Sequence, residues 1–198
     1  GLQNYDGTVW FRKTVIYVDQ NYSGLALELR GVDYFCDVYV NDTLLAQHEG
    51  YFQTFFVPVP INAHETSYDI ILRVTSPRED PKTHWPLKKQ LIKGIFNHHD
   101  CRPGGWDPSH GQDGNTGGVW NDIILHPFKS VFITECRIQP KLYKDYSECR
   151  LLITCKGVTT LRESVREAVK VTITSPSGET LSKKHTVTLH PDNPDFSI

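Results

Sequence analysis

The feature of this sequence that most constrains its fold is the two-residue periodicity of almost every patterned segment. Residues 10–18 are rich in aromatic and β-branched side chains and alternate between apolar and polar positions. Leucines alternate with other residues over positions 25–30, and residues 68–74 alternate again. Such alternation is typical of half-buried strands, and short strands at about 8–12 residue spacing are typical of antiparallel sandwiches. The sequence therefore predicts an all-β protein.

A similar alternation over residues 34–40 places Tyr34 and Cys36 on one face, and we interpret Cys36 as a small core residue. Asn41-Asp42 then predicts a tight turn, because both residue types tolerate positive φ. Only residues 160–168 have a composition compatible with a helix, and that segment is short.

A second series of strands follows a boundary that we place near residues 127–130. Its predicted strands cover residues 131–140, 148–156, 169–175 and 180–189, with a hairpin turn at 175–178. We therefore assign one domain to residues 1–128 and another to residues 129–198. Four strands are few for an immunoglobulin-like sandwich, which uses about seven. Together with the absence of Met, this predicts that the second domain is truncated and that the chain is a segment of a longer protein.

Composition and charge exclude several classes of partner. The net charge is -2 and no basic stripe occurs, so we expect neither nucleic acid nor an anionic membrane as a partner. The longest apolar runs are far shorter than the roughly 20 residues of a membrane helix. No Cys-x-x-Cys pair occurs, so we expect no zinc site and no cofactor. Cys136 could meet Cys149 or Cys155 across neighbouring strands, and free thiols are equally open.

One long irregular region interrupts the strands between residues 76 and 118. Its part from 94 to 121 is rich in Gly, Asp, Asn, His and Trp and has no periodicity. Loops longer than about 12–15 residues are usually functional or disordered. Aromatic residues such as Trp85 and Trp106 disfavour disorder, because they are costly to leave in water. We therefore expect a recognition surface here.

Four short motifs occur in order along the predicted strands. They are Gly-Thr-Val-Trp-Phe-Arg at residues 7–12, Gly-Val-Asp at 31–33 with Val-Tyr-Val-Asn at 38–41, His-Glu-Gly-Tyr at 48–51, and Gly-Val-Trp-Asn at 118–121. In this order they resemble the Gly-x-x-Trp-Tyr-Arg opening, the Gly-Val-Asp … Val-Trp-Val-Asn strand, the His-x-Gly turn and the closing strand of one known domain. That domain is the sugar-binding domain of family 2 glycoside hydrolases.

The resemblance implies a galactose-binding-like jelly-roll β-sandwich followed by a partial immunoglobulin-like β-sandwich. It also implies a retaining glycosidase as the parent protein, similar to β-mannosidases or β-galactosidases, with both catalytic carboxylates on a (β/α) barrel that is not in this chain. We therefore expect no catalytic residue here and no hydrolysis by this chain alone. Trp10, Arg12, Asp33 and Asn41 match the motifs, and the resemblance implies structural roles for them: core packing and hydrogen bonding at strand ends.

Within the irregular region, Gly105-Trp106-Asp107 resembles the start of the Gly-Trp-Asp-Trp loop of β-mannosidase-like members, with Pro108 in place of the second Trp. That loop reaches the terminal sugar, so the resemblance implies that Trp106 and Asp107 bind substrate. An aromatic face suits a pyranose ring, and a carboxylate accepts hydrogen bonds from hydroxyls. The alternative is that Trp106 only anchors the loop.

His98, His99, Asp100 and Arg102 form a polar cluster in the same region. We count them as candidate substrate-binding residues that line the sugar pocket. Hydrogen bonding within the loop is the structural alternative, and a metal site is not expected because the spacing matches no zinc motif.

The predicted partners are thus the terminal sugar of a β-glycoside and the catalytic barrel of the same parent chain. A stand-alone carbohydrate-binding or adhesion module without hydrolase activity is the alternative function. The location is open, and we favour a periplasmic or secreted parent over a cytoplasmic one.

Overall fold

The computed structural model describes residues 7–17, 19, 21–62, 64–76 and 117–198. All regular elements within these residues are strands, which confirms the all-β prediction. In chain order they are β1 (Gly7–Ile16), β2 (Gly24–Leu29), β3 (Val32–Asp33), β4 (Phe35–Val40), β5 (Thr43–Glu49), β6 (Phe55–Pro60), β7 (Ser67–Ser76), β8 (Gly118–Val119), β9 (Ile123–Phe128), β10 (Phe132–Leu142), β11 (Cys149–Val158), β12 (Val165–Thr174), β13 (Thr180–Leu189) and β14 (Phe196–Ser197). The described residues offer no helix of the length and apolarity that a membrane span requires.

By compactness the chain divides into two units. One comprises Gly1–Gln20 and Leu27–Leu125, and the other comprises Asn21–Ala26 and His126–Ile198. The assignment of separate domains to residues 1–128 and 129–198 stays a prediction.

The first unit contains an antiparallel four-stranded sheet in the order β1-β7-β4-β5, and the short pair β3-β8. A further three-stranded sheet has the order β6-β2-β9. Alternate residues of these strands point inward and form a core whose side chains are at most 2% exposed: Leu27, Leu29, Cys36, Val38, Val57, Leu72 and Val74. Burying each such side chain stabilises the fold by about 1.5–3 kcal/mol. The predicted core position of Cys36 is confirmed.

The predicted turn at Asn41-Asp42 joins β4 to β5. Both residues have positive φ, 47° and 64°, which is the backbone conformation of tight two-residue hairpin loops. The side-chain oxygen of Asn41 accepts a hydrogen bond from the backbone N–H of Asp69 at 2.9 Å. Arg12 forms an ion pair with the Asp69 carboxylate. Asn41 thus has the hydrogen-bonding role at a strand end that the resemblance implied.

Trp10 does not have the expected role in core packing. Its side chain is 59% exposed, and it lies opposite Arg73 in the β1–β7 ladder. On this outer face Arg73 donates to Asp37 at 2.7 Å, and Gln47 donates to the other carboxylate oxygen at 2.8 Å. Trp10 and Arg12 are two residues apart on β1, so both side chains lie on the solvent-facing side of the sheet. There the ring centroids of Trp10 and Tyr39 are 6.0 Å apart.

The second unit contains a three-stranded sheet in the order β10-β11-β14 and the hairpin β12-β13. One core cluster of this unit contains four buried residues: Cys155, Val187, Leu189 and Phe196. The predicted turn at residues 175–178 is confirmed, because the Ser175 N–H donates to the carbonyl of Glu179 at 2.8 Å and Gly178 has φ of 90°.

Candidate functional site

The predicted substrate-binding residues lie outside the described part of the chain. All six fall within residues 77–116: His98, His99, Asp100, Arg102, Trp106 and Asp107. Their role in binding sugar stays a prediction. The described residues on either side of this segment do, however, show where it begins and ends.

Both flanks of the segment 77–116 meet at Asp33, at the end of β3. The hydroxyl of Ser76 donates a hydrogen bond to the carbonyl oxygen of Asp33. On the other flank, Gly118 pairs with Asp33 and Val119 with Val32 in the β3–β8 ladder. Asp33 is fully buried. The segment therefore leaves and re-enters the described fold at one point of the first unit.

Tyr34, which follows Asp33 in the sequence, lines a pocket of about 390 Å³. We call it the Tyr34 pocket. Its lining consists of Tyr34, Glu49, Gly50, Tyr51, Phe52 and Gln53. The Tyr34 hydroxyl donates to Oε1 of Glu49 at 2.8 Å. This bond, with burial, raises the pKa of Tyr34 to about 12. Tyr34 therefore stays protonated at neutral pH and holds the Glu49 carboxylate at the pocket wall.

Gly50 shapes the pocket through its backbone. Its φ is 135°, a conformation that residues with a side chain rarely adopt. Its N–H donates to the carbonyl of Tyr34 at 3.2 Å. A Cβ at this position would lie 2.1 Å from Oε1 of Gln53. The positive φ therefore favours glycine where the chain turns out of β5 into residues 51–53, whereas the side chain of Gln53 could move away from a Cβ.

An aromatic cluster supports one side of the pocket. The ring centroids of Tyr34 and Tyr51 are 5.5 Å apart, and those of Phe52 and Trp120 are 5.9 Å apart in an edge-to-face arrangement. The Trp120 indole N–H donates to the carbonyl of Tyr51 at 2.9 Å. A Cβ at Gly31 would lie 2.4 Å from Cε2 of Trp120. Trp120, which lies just after β8, therefore links the chain that follows the segment 77–116 to Tyr51 and Phe52 of the pocket.

His48 packs behind the pocket and is not placed as an acid or base within it. Its ring stacks on Phe55 with centroids 3.9 Å apart. Burial lowers the pKa of His48, so the ring is neutral at neutral pH. Its Nε2 is buried and has no hydrogen-bond partner among the described residues. His48 therefore has a structural role in packing.

The Tyr34 pocket combines aromatic faces with one carboxylate and one amide. Aromatic rings pack against apolar C–H faces, while carboxylates and amides bind hydroxyl groups. Among the described residues that line it, Glu49 provides a carboxylate. The described part of the pocket therefore has the chemistry of binding a polar ring.

Sequence reasoning did not single out the residues of this pocket. It placed Tyr34 on the core face with Cys36, and it read the motif at residues 48–51 as a turn. The available signal was the cluster Glu49-Gly50-Tyr51-Phe52-Gln53, in which aromatic and polar residues surround a glycine. That signal is weak, because Tyr34 and Trp120 come from distant parts of the chain.

No family model and no curated protein matches this sequence. Solved structures do match it. A family 2 β-galacturonidase from Eisenbergiella tayi bound to galacturonate is 13% identical, with a TM-score of 0.59, over 98% of this chain and 29% of that one. A β-glucuronidase from Bacteroides uniformis is 15% identical, with a TM-score of 0.63, over 98% of this chain and 21% of that one. A family 2 member from Bacteroides cellulosilyticus is 14% identical, with a TM-score of 0.60, over 98% and 23%.

These similarities confirm, at the level of the fold, the resemblance that the sequence motifs indicated. At 13–15% identity they establish a shared all-β architecture. This chain spans less than a third of the length of each of these structures, at most 29%.

Proposed function

We propose that this chain is the carbohydrate-facing accessory region of a longer retaining glycosidase of the family 2 type. The observation that carries the proposal is the match of 98% of this chain to glycosidase structures of which it covers only 21–29%. The four ordered motifs between residues 7 and 127 support the same family from the sequence side. In this proposal the residues up to 128 are the sugar-binding jelly roll, and residues 129–198 belong to an immunoglobulin-like domain.

The proposal assigns binding to this chain and bond cleavage to a catalytic barrel elsewhere in the parent protein. Asp37 is engaged with Arg73 and Gln47 on the outer face of the sheet. Glu49 is engaged with Tyr34. Both of these carboxylates are held by hydrogen bonds, and the family resemblance assigns the two catalytic carboxylates to the barrel, so we expect this chain alone to be inactive.

The segment 77–116 provides the substrate contacts in this proposal. The residues that flank it on both sides, Ser76 and Gly118, are bonded to Asp33, which directly precedes Tyr34 in the sequence. Trp106 stacks on the terminal sugar and Asp107 accepts hydrogen bonds from its hydroxyls. His98, His99, Asp100 and Arg102 line the same pocket of the assembled enzyme.

The proposed substrate is a β-glycoside. The motif at residues 105–107 resembles that of β-mannosidase-like members, with Pro108 in place of their second Trp, whereas the structures described above are named β-glucuronidase and β-galacturonidase. A uronide would add a carboxylate to the terminal sugar, and Arg102 is a cation that could bind it through two hydrogen bonds. The two classes of sugar therefore differ in whether they depend on Arg102.

The test is hydrolysis of nitrophenyl β-glycosides by the full-length parent and by this chain alone. The panel comprises the mannoside, galactoside, glucuronide and galacturonide. We expect the parent to hydrolyse at least one of them and the chain alone to hydrolyse none. Hydrolysis by the chain alone, or no hydrolysis of any glycoside by the parent, would overturn the proposal.

Calorimetry separates the proposal from a stand-alone binding module. An accessory region that supplies half of a site should bind monosaccharides weakly, with Kd above about 1 mM, because half of the contacts are absent. Tight binding by this chain alone would favour the alternative of an independent carbohydrate-binding or adhesion module.

A further inference from the structure

Two cysteines of the second unit face each other across the β10–β11 ladder. Cys136 and Cys155 are directly opposite in the register, and their Sγ atoms are 3.5 Å apart. Cys155 is 4% exposed and belongs to the core of the unit, whereas Cys136 is exposed. Neither the family resemblance nor the proposed function uses this pair.

The backbone geometry suits a bond between these sulfur atoms. Opposite residues of an antiparallel ladder have Cβ atoms about 4.5–5.5 Å apart, and disulfides span Cβ distances of about 3.5–4.5 Å. The register is unbroken from Glu135 to Leu142, with the irregularity confined to the step between Ile133 and Glu135. Closing the sulfur–sulfur distance to about 2.04 Å therefore needs only small side-chain rotations and a slight approach of two regularly paired strands.

We propose that Cys136 and Cys155 form a reversible disulfide that cross-links β10 to β11 in the presence of a low-molecular-weight disulfide oxidant. Cys136 is the entry point, because it is the exposed member of the pair. Its thiolate attacks one sulfur of the oxidant, forms a mixed disulfide and releases one thiolate. Cys155 then attacks the Cys136 sulfur, which breaks the mixed disulfide and releases the second thiolate of the oxidant, and the proton of Cys155 passes to that thiolate. The protein loses two electrons and two protons, and the oxidant becomes two thiols.

Burial explains the order of these steps. Burial, together with the hydrogen bond to Cys136, raises the pKa of Cys155 to about 11, so this thiol is a poor first nucleophile at neutral pH. Once Cys136 carries the mixed disulfide, the sulfur of Cys155 already lies beside it and the second step is intramolecular. The reverse reaction with excess thiol restores both cysteines.

The other described cysteines serve as internal controls. Cys149 lies opposite Leu142 in the same ladder, six positions from Cys155 and thus about 20 Å along the strand. Cys36 is 1% exposed in the first unit. The sequence allowed either Cys149 or Cys155 as the partner of Cys136. The register of the β10–β11 ladder favours Cys155.

The experiment oxidises the reduced chain with excess glutathione disulfide, blocks free thiols with N-ethylmaleimide and maps linked peptides by mass spectrometry. We expect a Cys136–Cys155 peptide that disappears on return to reduced glutathione. We also expect oxidation to raise Tm by about 5 °C or more, because the bond closes a loop. Both effects should be absent in Cys136→Ser and retained in Cys149→Ser. Failure to form the Cys136–Cys155 peptide, or its replacement by a peptide linking Cys136 to another cysteine, would overturn the proposal.

Discussion

At the scale of single residues, the shape of the Tyr34 pocket depends on two glycines. Gly50 provides a backbone conformation, and Gly31 provides space for the ring of Trp120. These two reasons for glycine are different, so they can be tested separately. Neither position has a side chain that could itself bind a ligand.

We expect Gly31→Ala to destabilise the first unit by about 2–3 kcal/mol. The added Cβ would meet Trp120 at 2.4 Å, and overpacking of this kind costs about 1–3 kcal/mol. Urea unfolding followed by far-ultraviolet circular dichroism, which reports on the strands of both units, measures the effect. Gly178→Ala is the control: it has open space around its Cβ but φ of 90°, so only a backbone cost of about 1 kcal/mol is expected. Equal effects of the two substitutions would contradict the packing role of Gly31.

Asp37 makes stability depend on pH. Its hydrogen bonds from Gln47 and Arg73 lower its pKa. A lowered pKa in the folded state stabilises the protein above the unfolded value of about 3.9, and this stabilisation is lost as pH falls through the folded value. Asp37→Asn should therefore cost about 0.5–1 kcal/mol at pH 7, a modest figure because Arg73 is 44% exposed and water screens the pair.

The measurement is urea unfolding of wild type and Asp37→Asn between pH 2 and pH 7. We expect the difference in unfolding free energy to be constant above about pH 5 and to vanish toward pH 2. A difference that stays the same at low pH would show that the ion pair is not its cause.

At the scale of elements, turn chemistry decides where strands end. The hairpin between β4 and β5 needs positive φ at both Asn41 and Asp42, and glycine is the residue that adopts this conformation most readily at the second position. The same reasoning applies to Gly178 in the β12–β13 hairpin, where φ is 90°.

Asp42→Gly should stabilise the first unit by about 0.5 kcal/mol, because it removes the strain of a Cβ at positive φ. Asp42→Val, which places a β-branched side chain at the same backbone angle, should destabilise it by at least ~1 kcal/mol. Thermal unfolding of wild type and the two variants measures their Tm values, which we expect to be highest for Asp42→Gly and lowest for Asp42→Val. If both variants had the same Tm, the turn conformation would not control the stability of this hairpin.

Local patterns predicted most of the strands and both of these turns, because alternation and turn residues act over a few positions. They did not predict that residues 165–168 would extend β12 as far back as Val165. There, pairing with β13 outweighs a helix-compatible composition. The Tyr34 pocket was missed for a related reason. Tyr34, the turn at residues 50–53 and Trp120 are brought together only by pairing between distant strands.

At the scale of the whole molecule, the proposed function gives this chain one half of a binding site. The first unit provides an aromatic and carboxylate pocket, and it holds both flanks of the segment 77–116 at Asp33. The proposed second half is a catalytic barrel in the parent protein. We therefore expect the substrate contacts of this segment to affect transition-state binding in the assembled enzyme. Without the barrel, we expect the chain to have no measurable activity.

The most direct test of this central claim is kcat/KM of the full-length parent carrying Trp106→Ala, on the nitrophenyl glycoside it hydrolyses best. The matched control is Trp10→Ala, which removes an equally large side chain that is 59% exposed on the outer face of the sheet. We predict a loss of at least about tenfold for Trp106→Ala, equivalent to ~1.4 kcal/mol of transition-state binding, and less than about twofold for the control. A kcat/KM of Trp106→Ala within about twofold of wild type would contradict the claim.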